Sequence, residues 1–158
     1  MKRGQAWGFD LAVAGVIFVV AVVLFYLYTL NFSSGSDDVA ANLNYEARIL
    51  SDSLLSEGFP LDWNENNVAE IGILSVGKVN NTKVKNFYDL SQNDYQRTKN
   101  LFNVANDYYA YFDEVIEVDG TQINGIGLQE SNPDNLVKIS RIVIHDNKIK
   151  TLHVKVWN

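Results

Sequence analysis

Residues Leu11 to Leu30 (LAVAGVIFVVAVVLFYLYTL) form a run of 20 residues without a charge. At about 1.5 Å rise per residue, a helix of that length matches the roughly 30 Å hydrocarbon core of a bilayer. The run is rich in Val and Phe, which in water favours a strand, but a lone strand leaves its backbone unsatisfied in lipid and a helix does not. A membrane-spanning helix is therefore expected over residues 5–32. Lys2 and Arg3 precede the run and Asp37 and Asp38 follow it, so the positive-inside bias puts the N-terminus in the cytoplasm and the rest of the chain outside. Tyr26 and Tyr28 suit the outer interface.

A cleaved secretory signal fits poorly. Its apolar core is usually about 7–15 residues and is followed by small residues, whereas this run ends in Asn31-Phe32-Ser33. A plain signal anchor and a leader trimmed ahead of the apolar run both remain.

The rest of the 158-residue chain carries a different signal. The formal net charge is −6, with 13 basic residues scattered along the sequence, so no electrostatic footprint for nucleic acid is present. No Cys occurs, which removes disulfides, thiolate catalysis and zinc-thiolate sites. Apolar residues recur at Ala40, Leu43, Ala47, Leu50 and Leu54, one face of a helix of about 20 residues. Ser36 is its expected N-cap, Asp37 and Asp38 suit the positive end of its dipole, and Gly58 with Pro60 ends it. Residues 33–38 are either bridged into one long helix with the span or hinged at Gly35.

Val68 to Val79 predicts one short strand, or two around Gly77. Asn81–Leu90 and Ser91–Asn103 predict two short helices, the second capped by a Ser91-to-Asp94 box. The period then changes. Tyr108–Val118 and Thr121–Leu128 predict a hairpin turning at Asp119-Gly120, and Leu136–His145 with Lys148–Trp157 a second about Asp146-Asn147. The expected fold class is α+β: a long membrane-spanning helix, then an amphipathic helix packed on an antiparallel β-sheet head spanning 33–158.

The N-terminal sequence Lys2-Arg3-Gly4-Gln5-Ala6-Trp7-Gly8-Phe9-Asp10, running straight into the apolar block, resembles archaeal type IV pilin-like proteins with a class III signal peptide. Similar chains share the later pattern Leu54-Leu55-Ser56-Glu57-Gly58-Phe59-Pro60, Trp63-Asn64 and Ile71-Gly72, and a closing hairpin from Arg141 to Trp157. The resemblance implies a leader of residues 1–4 cut by a prepilin peptidase between Gly4 and Gln5, a long N-terminal stalk, and assembly with other pilin-like subunits. Pilins usually carry Glu at the fifth mature position, opposed to a neighbour's terminal amine. Here that position is Phe9 and the nearest acid is Asp10, turned about 100° round the helix.

These features set the functional expectations: a non-enzymatic filament subunit, or alternatively a monomeric signal-anchored extracellular binding protein, with one membrane span, no nucleic-acid partner and no cofactor. Gly8, Ala12 and Gly15 would allow close helix approach, with Asp10 setting register. Asn31-Phe32-Ser33 and Asn80-Asn81-Thr82 are glycosylation sequons on the expected outer side, Asn80 being the better placed acceptor. His145 and His153 are expected at a strand surface, facing Lys148 and Ser140 across the hairpin and so not paired as metal ligands. Gly125-Ile126-Gly127 lacks the setting of a dinucleotide loop, no nucleophile elbow is present, and Asp107, Asp113, Glu114 and Glu117 lack calcium-loop spacing. Tyr108, Tyr109, Tyr111 and Phe112, with Trp63 and Trp157, read as core and sheet packing ahead of a ligand platform.

Overall fold

The structure, a computed structural model, describes residues 4–32 and 36–158, with side chains described for 8–29 and 38–158. The chain divides into an N-terminal unit ending at Asp38 and a second unit, Val39–Asn158. The first contains helix α1, Gly4–Phe32, of 29 residues. Whether α1 continues into the next helix or breaks at Gly35 falls on residues 33–35, outside the described residues, as does the expected Ser36 cap side chain.

Helix α2 spans Ser36–Leu54. Four of its five expected stripe residues, Leu43, Ala47, Leu50 and Leu54, are fully buried. Ala40 is exposed, and Val39 packs against the core in its place. The helix also stops earlier than Gly58. Leu54 and Ser56 offer their carbonyls to Ile73 N–H and Leu74 N–H, at 3.0 Å each, so residues returning from the next loop take acceptors at the helix end.

That loop is pinned at several points. Phe59 and Glu70 form an antiparallel bridge, Ser53 Oγ donates to Ile71 O at 2.7 Å, and buried Trp63 donates Nε1–H to Gly72 O at 2.9 Å. The three short segments that carry the pilin resemblance, around Leu54–Pro60, Trp63 and Ile71-Gly72, thus meet in space. Gly58, at φ +70°, and Gly72 lie back to back; a Cβ on Gly72 would stand 2.4 Å from Gly58 N.

Strands β1 (Leu74–Ser75) and β2 (Lys78–Val79) make a minimal hairpin around Val76 and Gly77, the two-strand form of the expectation. Helix α3 (Asn81–Asn93) is capped by Asn80, whose side chain accepts from Lys83 N–H. Helix α4 (Tyr95–Phe102) is capped by Asp94, accepting from Arg97 N–H at 3.0 Å. The predicted start at Ser91 is therefore wrong by three residues. Ser91 is buried on the inner face of α3 with Val84, Phe87 and Leu90, and the chain breaks only where Asp94 takes over as cap.

The main sheet has the order β6-β3-β8-β7, with β3 at Asp107–Phe112, β6 at Ile126–Gly127, β7 at Leu136–His145 and β8 at Lys148–Trp157. The β7–β8 hairpin has the predicted limits, and Asp146 and Asn147 both take the positive φ of a primed turn. The other predicted hairpin is split. Its turn forms at Asp119-Gly120, β4 (Ile116–Val118) and β5 (Thr121–Ile123) pair next to it as a separate ladder, and further out β3 meets β6, with Tyr109 opposite Gly127 and Ala110 opposite Ile126. On its other edge β3 pairs with β8 over six residues, because Tyr108 and Ala110 then bury against the face that also carries Leu152, Val154 and Val156. One continuous core joins that face to the apolar sides of α2, α3 and α4. The architecture is α+β, with an apolar N-terminal helix and antiparallel sheets.

Candidate functional site

Within α1, the 22 residues Gly8–Thr29 include an 18-residue stretch with a mean hydropathy of 2.7, and none is buried. This is one helix long and apolar enough, by length and composition, to cross a membrane, and it takes in Asp10. Its large apolar side chains are exposed, Phe9 at 70% and Leu27 at 48% among them. Gly8, Ala12 and Gly15 fall within about 60° of one another around the helix axis, and Asp10 lies close to the opposite side. A Cβ added at Gly8 or Gly15 meets nothing within 4 Å, so these glycines form an uncovered shallow strip. Thr29 turns its hydroxyl back onto the carbonyls of Phe25 and Tyr26, at 2.8 and 2.9 Å, hiding a polar group from an apolar surrounding. Gly4 and Gln5 are the first residues of α1 and Asn31 lies in its last turn; their side chains lie outside the described residues.

In the head, Asn80 is engaged at both ends of its side chain: Oδ1 accepts from Lys83 N–H at 3.2 Å and Nδ2 donates to Ser75 Oγ at 3.2 Å. A sugar would replace one of the two Nδ2 hydrogens and leave the other for the bond to Ser75.

The histidines face the residues expected, Lys148 and Ser140. His153 bonds Ser140 Oγ through Nδ1 at 2.8 Å. His145 departs from the surface expectation, being only 4% exposed, because it inserts beside α3 and its Nε2 meets Asn81 Oδ1 at 2.6 Å. Burial lowers the pKa of His145, Asp146 opposes that shift and Lys150 adds to it. His153 is also lowered, by burial and then by Lys138. No group of three or more His, Cys, Asp and Glu residues able to hold a metal occurs among the described residues. The acidic stretch is dispersed: Asp107 pairs with Lys99 at 2.9 Å and Glu114 with Lys150 at 3.1 Å.

The aromatic cluster separates by strand parity. Tyr108 and Trp63 are core, and Tyr108 Oη meets Thr98 Oγ1 at 2.5 Å. Burial raises the Tyr108 pKa well above its ordinary value, so the phenol stays neutral. Tyr109 and Tyr111 lie on the other sheet face, 5.7 Å apart, and Tyr111 is 4.9 Å from the His153 ring. Lys138 and Lys155 each place an ammonium 5.4 Å from the Tyr111 ring, and Glu130 pairs with Lys155. That contact raises the Lys155 pKa and lowers that of Glu130.

An open cleft of about 540 Å³ with a mixed apolar and polar lining lies between residues 61–64, Ser75 and the first turns of α3. Of its residues, Trp63, Asn64, Asn80 and Thr82 stand out in the sequence for other reasons, and Asp62, Lys83 and Asn86 were not anticipated. Lys83 is 6% exposed, and its ammonium donates to Glu57 O at 2.6 Å and Leu74 O at 2.9 Å. The signal available was position: Lys83 adjoins the Val84, Phe87, Leu90 stripe. Glu46 was missed in the same way, inside the stripe of α2 and 6% exposed.

No family model, curated protein or solved structure matches this chain.

Proposed function

We propose that the chain is a pilin-like structural subunit of an archaeal surface filament, or of a related secretion or adhesion assembly, and that it polymerises through its N-terminal hydrophobic helix. The observation that carries this is α1: an apolar helix with none of Gly8–Thr29 buried, preceded by Lys2-Arg3, opening on Gly4-Gln5 and carrying the Gly8, Ala12, Gly15 strip. In lipid, helices gain little from apolar burial, so association depends on close backbone approach, which small residues permit. A prepilin peptidase cuts between Gly4 and Gln5, removing two of the 13 basic residues and freeing an amine that Asp10 of a neighbouring copy can meet. The subunit crosses the cell membrane once, with its head outside, and Asn80 and Asn31 are its candidate glycan acceptors. Its work is mechanical and needs neither catalysis nor a cofactor.

The test is to purify surface filaments, probe them for this chain and determine its first residue. Gln5 at the start of filament-borne protein is the expected result; a filament fraction free of the chain overturns the proposal. Phe9 in the place of the usual Glu favours a second reading, a monomeric signal-anchored extracellular binding protein. Membrane-resident protein that keeps Met1 to Arg3 identifies that case.

A further inference from the structure

The cleft beside α3 has a chemistry that filament packing does not use. At its inner end Lys83 is nine-tenths buried without an ion-pair partner among the described residues. An ammonium has three N–H donors, and the two backbone carbonyls use two of them. A buried charge left short of acceptors is costly, so a third acceptor at this point is favourable.

The walls continue the pattern. Asn86 spends Nδ2 on Trp63 O at 2.9 Å and leaves its Oδ1 as an acceptor. Ser75 Oγ accepts from Asn80 and keeps its own O–H to donate. Asn64 accepts from Asn66 N–H through Oδ1 at 2.9 Å, which leaves its Nδ2 as a donor. Thr82 and Asp62 stand exposed on the same cleft with no side-chain hydrogen bond among the described residues. Donors and acceptors are therefore both present around a space in the size range of small-molecule sites.

Charge narrows the class. Asp62 and Lys83 cancel formally, and the carboxylate stands against an anionic ligand. An apolar ligand would strand the free hydroxyls and amides, each at the cost of an unmade hydrogen bond. Leu61, 67% exposed on the cleft, supplies one apolar contact. A ligand dense in hydroxyls, uncharged, with a C–H face satisfies all of these conditions. The cleft is also rigid: Trp63 beneath it is fixed to Gly72, and α3 is fixed by its Asn80 cap.

We propose that this cleft binds a neutral saccharide, with Lys83, Asp62, Thr82 and Asn86 as its hydrogen-bonding partners. Binding occurs within the head and is independent of leader cleavage and filament assembly, so the two proposals fail separately.

The experiment uses the full chain, made in a host without N-glycosylation so that Asn80 carries no sugar of its own, and held in a phosphocholine detergent because glycoside detergents would compete. The probes are the methyl α-glycosides of glucose, galactose, mannose and N-acetylglucosamine. Ligand-observed saturation transfer and backbone amide shifts are recorded on the unaltered protein, and then on Asp62→Asn with Thr82→Val. At least one glycoside is expected to show saturation transfer, to move the amides of Leu61, Ser75, Thr82 and Asn86, and to bind the double variant about tenfold more weakly. The proposal is overturned by transfer to none of the four, by shifts confined to the Tyr109 and Tyr111 face, or by equal affinity in the double variant.

Discussion

Glu46, in the middle of α2, holds Asn106 at the entrance to β3: its carboxylate accepts the Asn106 backbone N–H at 3.0 Å and Nδ2–H at 3.1 Å, and also the Ala105 N–H at 3.1 Å. The acid is 6% exposed, so these bonds form largely out of water. They tie the helix to the first long strand of the sheet across 60 residues of sequence.

Removing the carboxylate strands two backbone donors in a place water reaches poorly. Glu46→Ala is expected to lower head stability by about 2 kcal/mol, and Glu46→Gln, which keeps one acceptor, by less. Urea unfolding followed by tryptophan fluorescence measures both. Equal midpoints for all three proteins would show that the clamp contributes nothing.

Gly72→Ala tests the return loop. Its new Cβ would lie 2.4 Å from Gly58 N and 2.5 Å from Ser56 O, both backbone atoms that cannot swing aside. A loss of about 3 kcal/mol or more is expected, together with a shift of the Trp63 indole environment. Gly77→Ala is less suitable as a comparison, because Gly77 sits at φ +73°. Gly15→Ala is the proper control, since nothing lies within 4 Å, and it should leave the melting of the head unchanged.

Burial holds the pKa of both His145 and His153 below the ordinary value for histidine, so the folded head keeps them neutral while the unfolded chain takes up protons first. Stability from this source is therefore complete above the unfolded pKa and declines as pH falls below it. The melting temperature is expected to drop between about pH 7.5 and pH 5.5. His145→Gln should flatten that dependence, leaving the share due to His153. A slope of opposite sign in thermal melts would contradict the assignment.

Gly15→Leu places a bulky side chain on the small-residue strip of α1, where an added Cβ meets nothing within 4 Å. Under the proposed assembly it should sharply reduce recovery of the chain in surface filaments while head stability stays within about 0.5 kcal/mol of the parent. Immunoblots of sheared filaments, with cell-associated protein as reference, give the comparison. Unreduced recovery would remove this strip from the contact.

Much of this fold could be read from the chain because local signals and tertiary contacts agree. The stripe Leu43, Ala47, Leu50, Leu54 is helical by spacing and buried in fact, and Asp146-Asn147 turns the hairpin for the reason its residue types suggest. Failures occur where a distant partner decides. Tyr108 to Phe112 is strand-forming in any register, and only the later arrival of Leu152, Val154 and Val156 determines that its long ladder is with β8, while the segment after Gly120 meets it over just the two residues of β6. Ser91 resembles a cap, but Phe87 and Leu90 carry the helix past it into the core. The polar residues of the cleft and the buried Glu46 gave little warning, since a charged residue within an apolar period reads as an interruption until its partners are known.

The place of β8 bears on how the head is made. It is the latest strand of the main sheet in chain order, yet it lies at the centre, with β3 on one side and β7 on the other. Until Lys148–Trp157 has been synthesised and delivered, β3 and β7 have nothing to bridge them and the inner face of the sheet cannot close. With this wiring the four-stranded sheet closes only once Lys148–Trp157 is available, so the two long ladders of β8 form together and late.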